Sequence, residues 1–210
     1  MTSDPRGHWQ TVYETKAPTD VSWYQPTPQR SLALIQSTGL PLSAALLDVG
    51  GGASTLVDHL LAAGFSDINV LDVAPAALEA AMARLGAAGA SVQMIAADVT
   101  AWQPPRRYDL WHDRAVFHFL VDEALREQYL HVLQSALAPG GYLVMATFGP
   151  EGPTRCSGLE VRRYAAAELS AVLGPAFRLV TSAIEEHSTP SGNVQQFMYG
   201  LWQRLAVSRG

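Results

Sequence analysis

The chain has 210 residues, 48% of them hydrophobic, and a formal net charge of −5 at neutral pH. That composition suits a globular domain with a full core, and the acidity argues against a protein held to nucleic acid by its overall field. The single cysteine, Cys156, excludes an intramolecular disulfide; the N-terminus has no apolar signal region, and no run approaches the roughly 20 apolar residues of a membrane helix, so a cytoplasmic protein away from membranes is expected.

Residues 1–30 are rich in Pro, Thr and Gln yet carry His8, Trp9, Tyr13, Trp23 and Tyr24. Disordered tails are poor in such aromatics. The segment is therefore expected to pack on the domain formed by residues 31–210 as a helix plus an extended arm, either as a lid over a pocket or as a seal on the core edge.

Ser31–Ser37 reads as a short helix, broken by Gly39 and Pro41. A strand at 45–49 enters Gly50, Gly51 and Gly52, and a helix follows to about Ala63, stopped by Gly64. The strand Asp67–Val73 leads to a helix Ala76–Leu85 with Pro75 in its first turn. A third strand spans Ser91–Ala96, and after the breaker Pro104-Pro105 a fourth spans Tyr108–His112.

Asp122 suits the cap of a helix over 123–137, whose Leu125, Tyr129, Val132, Leu133 and Leu137 share a face. Pro139-Gly140-Gly141 reads as a turn into the strand Tyr142–Phe148. The loop 149–163, the helix Ala165–Leu173 and strands Phe177–Glu185 and Gln195–Gln203 complete the chain.

This alternation predicts an α/β fold with a doubly wound, Rossmann-like, mostly parallel sheet. The connection 187–193 is too short for a crossover helix, so the last two strands should form an antiparallel hairpin.

A strand that turns through glycines into a helix lets a ligand approach the backbone near the positive helix end. In open parallel sheets ligands bind at the carboxyl ends of the strands. Those ends carry Gly50 and Gly52, then Asp72, then Asp98 and Val99, then His112, Asp113 and Arg114. Asp72 lies 24 residues after Asp48, where an acid that accepts from both ribose hydroxyls falls in nucleotide folds; the alternative is a helix-capping acid. Asp98 could accept from an adenine amino group, with Val99 and Trp102 as apolar surface, or simply close a turn. The dinucleotide fingerprint needs a third glycine where this chain has Thr55, which disfavours a nicotinamide ligand.

Leu47–Ala53, Val70–Asp72, Ala96–Val99, Tyr108–Arg114 and Leu137–Val144 together resemble the successive motifs of class I S-adenosylmethionine-dependent methyltransferases, over about residues 8–203. The resemblance implies a seven-stranded sheet with an antiparallel last strand. It implies S-adenosyl-L-methionine as cofactor, S-adenosyl-L-homocysteine as product, and cofactor contacts at Asp48, Gly50, Gly52, Asp72, Val73, Asp98, Val99 and Asp113. Ser54 stands where a further glycine is frequent, and Ala74-Pro75 where Ser-Pro often follows the ribose acid. The aromatic arm is similar to that of thiopurine-type enzymes and of certain protein-lysine methyltransferases, whose acceptors differ.

Methyl transfer is an in-line displacement that rests on alignment, and a general base is needed only where the nucleophile must lose a proton. Asp113 and His118 are the nearest candidates, His118 also reading as a plain buried histidine. His112, Asp113 and His118 match no tight metal-ligand spacing, so no metal is expected. The loop after the fifth strand brings Thr154, Arg155 and Cys156 to the ligand end; Arg155 could lower the thiol pKa. With Trp9, Tyr13, Trp23 and Tyr24 they are the candidate acceptor pocket. The expected function is methyl transfer to a small-molecule nucleophile (O, N or S); a protein-lysine methyltransferase and a non-catalytic cofactor-binding protein are the alternatives. Nothing in the chain speaks to oligomeric state.

Overall fold

The computed structural model describes residues 4–206. β1 (Ala45–Val49) is buried along its whole length, as a strand covered on both faces must be. Leu46 faces one core with α2 (Gln29–Ser37) and α3 (Leu56–Ala62), while Ala45, Leu47 and Val49 face a second core on the opposite side. That second core is closed by α5 (Glu123–Ala136) and α6 (Ala166–Leu173). The period of two thus decides which layer each strand residue meets.

The remaining strands of the main sheet are β2 (Asp67–Asp72), β3 (Val92–Ala96), β4 (Tyr108–Arg114), β5 (Leu137–Phe148), β8 (Phe177–Ser188) and β9 (Val194–Arg204). They run in the order β3-β2-β1-β4-β5-β9-β8. The first five are parallel, and β9 is antiparallel to both neighbours. The seven-stranded α/β sheet and the terminal hairpin are therefore as the sequence implies. Between β5 and α6 a small hairpin pairs β6 (Arg155–Cys156) with β7 (Leu159–Glu160).

α4 (Pro75–Leu85) starts with Pro75 in its first turn, and Asp122 accepts from Ala124 N at 2.8 Å to cap α5. Two local expectations need correcting. α5 ends at Ala136, and β5 already starts at Leu137, which pairs with Tyr108 of β4; the strand then bulges through Gly140, at φ of +81°, before Tyr142 pairs with Leu110. Leu125 lies off the packed face of α5 and is 38% exposed; Ala136 takes a place in the core instead.

The N-terminal segment forms α1 (Pro5–Thr15) and an irregular strap to Pro28. Distant side chains hold the strap by its carbonyls: His187 Nε2 to Ser22 O at 2.8 Å, Arg114 Nη1 to Trp23 O at 2.9 Å, Thr55 Oγ1 to Gln25 O at 2.9 Å, and His59 Nε2 to Pro26 O at 3.2 Å. α1 has one such tie, Ala76 N to Gln10 Oε1 at 3.2 Å. Its aromatic packing continues through Trp9, whose ring meets Trp23 at 5.6 Å and Phe119 at 5.0 Å.

Candidate active site

β1 leaves the sheet through Gly50 and Gly52, whose φ angles of +63° and +41° are left-handed. A side chain is excluded on space as well: a Cβ on Gly50 would lie 2.0 Å from Val116 Cγ2, and one on Gly52 2.7 Å from Asp72 Oδ2 and 3.1 Å from the Tyr13 hydroxyl. Beside this turn lies a pocket. Its floor is Asp48, Gly50, Gly51, His112 and Arg114, and its roof is the arm, through Tyr13, Val21, Trp23, Tyr24 and Gln25. The arm leaves about 40 Å³ of enclosed room there, against the roughly 300–1,000 Å³ of ordinary ligand sites.

Asp72 ends β2, accepts from Ala74 N at 2.8 Å, and is buried. Burial pushes its carboxyl up to about 7, with the Asp48 charge adding and the backbone donors of Ala74 and Val73 opposing. Burial, then the neighbouring Asp72 charge, raises the Tyr13 phenol well above its ordinary value. Val73, next along, is half-buried.

Asp48 is engaged by a histidine: His112 Nδ1 lies 2.7 Å from Asp48 Oδ1, and His112 Nε2 lies 2.8 Å from Ser31 Oγ. This buried chain ties α2 to β1 and β4. Asp98 is exposed and closes a turn, its Oδ1 accepting from Thr100 N at 2.9 Å and Thr100 Oγ1 at 2.7 Å. Val99 beside it is buried.

Asp113 does not line this pocket. It points to the α5 side of the sheet, is 0% exposed, and accepts from Tyr129 Oη at 2.5 Å, Val116 N at 2.9 Å and Phe117 N at 3.2 Å. Burial pushes its carboxyl up to about 6, against those donors. Both of its carboxylate oxygens are taken by these donors.

His118 sits fully buried in the 3₁₀ turn Phe117–Phe119, with Nδ1 accepting from Phe148 N at 3.3 Å. Burial, reinforced by the Arg114 charge, pushes it down to about 3, so it is neutral and holds backbone.

In the β6–β7 hairpin successive residues face opposite ways. Arg155 is exposed, its Nη2 donating to Gly158 O at 2.5 Å, and Thr154 is exposed too. Cys156 faces inward, and burial pushes its thiol up to about 11 in spite of Ser22 and Arg114. The expectation that Arg155 activates Cys156 is overturned.

Arg114 is the site residue that sequence reasoning named without using. Leu110 packs in the α2–α3 core, so the alternation carries His112 and Arg114 to that same face, where the pocket lies. Ala115 follows with φ of +72°, a left-handed alanine that turns the chain out of β4.

The sheet order with one antiparallel strand, and a glycine turn at the carboxyl end of β1, define a class I methyltransferase fold. Residues 47–143 match the family model of a methyltransferase domain. Malonyl-[acyl-carrier protein] O-methyltransferase 1 of Ilyobacter polytropus is 31% identical over 105 residues, covering 50% of this chain and 38% of that protein. EEF1A lysine methyltransferase 2 of Homo sapiens is 29% identical over 82 residues, 35% of each chain. The chain thus spans little more than a third of the length of the curated relatives it matches. The solved structure of 1,6-didemethyltoxoflavin-N1-methyltransferase from Burkholderia thailandensis, with its substrate and S-adenosylhomocysteine bound, superposes with a TM-score of 0.67 at 20% identity, over 95% of this chain and 84% of that one. The chain thus has the fold of the S-adenosylmethionine-dependent methyltransferases, and its residues 47–143 are similar to a methyltransferase domain.

Proposed function

We propose that the protein transfers a methyl group from S-adenosylmethionine to a small-molecule nucleophile beneath the N-terminal arm. The roofed pocket carries this reading. A lysine presented by a folded protein needs an open groove, whereas here Tyr13, Val21, Trp23 and Tyr24 close over the glycine turn. Relatives of both kinds exist, one acting on a malonyl-acyl-carrier substrate and one on a protein lysine, so homology does not choose between them.

The residues fit the cofactor. Gly50 and Gly52 leave the backbone bare where a Cβ would intrude. Asp72, at the end of β2 beside them, would accept from the ribose hydroxyls, with Val73 alongside. Asp98 would accept from the adenine amino group, and Val99 would back the ring. Asp48 acts one step removed, by holding His112.

Tyr13 must move for any of this. Its hydroxyl stands against Gly52, on the ribose side of the turn. α1, tied to Ala76 N through Gln10, is the lid, and the strap at Ser22–Pro26 is its fixed base.

S-adenosylmethionine, when bound, supplies a methyl carbon already activated by its positive sulfur. The protein contributes alignment and exclusion of water. With Asp113 and His118 enclosed elsewhere, neither is positioned to take a proton from the acceptor.

The test is transfer of labelled methyl from S-adenosylmethionine into a cell extract, split by size after reaction. Label is expected in the small-molecule fraction. Label confined to protein would establish the lysine reading, and no label above the protein-free control would leave a cofactor-binding protein without activity.

A further inference from the structure

The Arg114 guanidinium lines the pocket with three of its nitrogens accounted for differently. Nε donates to Tyr199 Oη at 2.7 Å and Nη1 to Trp23 O at 2.9 Å, while Nη2 is buried with no hydrogen-bond partner. The group also lies over the Phe197 ring, 4.4 Å from its centroid. No carboxylate neutralises it: among the described residues the ion pairs are Arg30–Glu185, Arg84–Asp58, Arg106–Asp67 and His112–Asp48.

The nearby carboxylates are otherwise engaged: Asp48, on the same pocket floor, by His112, and Glu185, which acts on Tyr199 and His187, by Arg30. His118 and His187 are both held toward the neutral form, by burial first and Arg114 second, and Cys156 is held as a thiol by burial. Arg114 is half-buried as a residue, but a buried donor such as its Nη2 left without a partner is unfavourable unless an acceptor joins it, and an anion serves best. The planar fork of arginine suits a carboxylate or another oxyanion, and its charge suits a thiolate.

We propose that Arg114 binds a negatively charged methyl acceptor, a small carboxylate, oxyanion or thiolate, through its unpartnered Nη2. The proposal rests on the methyltransferase reading above and narrows its substrate class. Arg114 extends from the end of β4 toward Phe197 and Tyr199 of β9, away from the β2 end where Asp72 lies. That places the charge on the acceptor side of the glycine turn. The other carboxylate available to it is the one on the cofactor's amino-acid end, so the test separates the two.

An anionic acceptor also needs neither Asp113 nor His118 as a base. Its lone pair forms the bond to the methyl carbon as the carbon–sulfur bond breaks, and that bonding pair stays on sulfur. Anion and sulfonium are both neutralised, and no proton is left to remove. The guanidinium favours the ionised form of an acceptor whose pKa lies near the working pH.

The protein is saturated with S-adenosylhomocysteine and titrated at constant ionic strength with two matched pairs, acetate against acetamide and benzoate against benzamide, followed by tryptophan emission. In each pair that binds, the anion should bind about tenfold or more tighter. Arg114→Gln should abolish that preference while changing S-adenosylhomocysteine affinity by no more than about twofold, and Arg114→Lys should retain part of it. Equal response to both members of both pairs, or none to either anion, overturns the proposal, as does a preference that survives in Arg114→Gln. A roughly tenfold loss of S-adenosylhomocysteine affinity in Arg114→Gln assigns the charge to the cofactor carboxylate instead. If the unmodified protein binds no S-adenosylhomocysteine, the methyltransferase reading itself fails, a result distinct from all of these.

Discussion

Asp72→Asn will lose most of the affinity for S-adenosylhomocysteine and, at the same time, be more stable than the unmodified protein above neutral pH. Both effects come from one buried carboxyl. Burial raises it to about 7, whereas in an unfolded chain it titrates near 3.9.

Between those values unfolding releases a proton, so the ionisation of Asp72 lowers stability progressively as pH rises from about 4 to 7, and the loss stays constant above. Its full size is on the order of 4 kcal/mol for a carboxyl raised to about 7. Asparagine has no charge to bury and keeps an Oδ1 for the 2.8 Å bond from Ala74 N. The expected gain is roughly 2 kcal/mol or more at pH 8, and close to none at pH 4.

Ribose hydroxyls donate to a carboxylate, and each such charge-assisted bond is worth roughly 1.5–3 kcal/mol. Affinity in the unmodified protein should therefore climb with pH until the group is ionised near 7 and level off above. Thermal unfolding at both pH values, with a ligand titration from acid to alkaline pH, checks each part. Full affinity in Asp72→Asn would reduce Asp72 to a residue that caps the turn into α4. Loss of function with gain of stability marks a site held ready at the expense of the fold.

Asp113→Ala will behave in the opposite sense. Removing this carboxylate strands the Tyr129 hydroxyl, which accepts from Trp111 Nε1 at 2.9 Å and donates to Asp113, and leaves Val116 N and Phe117 N short of an acceptor. Each buried group left unsatisfied costs roughly 1–3 kcal/mol, so the variant should lose about 3–5 kcal/mol, or on the order of 10 °C in melting temperature. Where it remains folded, its affinity for S-adenosylhomocysteine should stay within about twofold of the unmodified protein, since no ligand-facing bond is lost. A variant that melts normally and fails to bind would return Asp113 to the cofactor site.

The contrast between these two acids shows what the sequence could convey. The glycine turn, sheet class and terminal hairpin follow from local periodicity and short connections, and they are found as expected. Asp113 was grouped with Asp72 because both end strands. The pleat, however, sends Asp113 toward α5 and its neighbours His112 and Arg114 toward the pocket. Leu110 in the α2–α3 core was the available cue, and alternation from it separates the three residues.

The same logic applies in the β6–β7 hairpin, where Arg155 turns outward and Cys156 inward. The packing of the arm was legible in its aromatics. Its anchorage was not, because the anchors are strap carbonyls taken by side chains from β4, the glycine turn, α3 and β8. Carbonyls carry no residue identity. The early start of β5 was hidden because Pro139-Gly140-Gly141 reads as a turn, and only the pairing of Leu137 with Tyr108 makes it a bulge within the strand.

The glycine turn with Thr55 in place of a further glycine, and Asp72 at the end of β2, are the basis for an adenosyl ligand over a dinucleotide. Calorimetric titration of the intact protein with S-adenosylhomocysteine and, separately, NAD tests that choice most directly. A saturable heat with S-adenosylhomocysteine and none with NAD is the expected result. Binding of NAD with no response to S-adenosylhomocysteine or S-adenosylmethionine would contradict it.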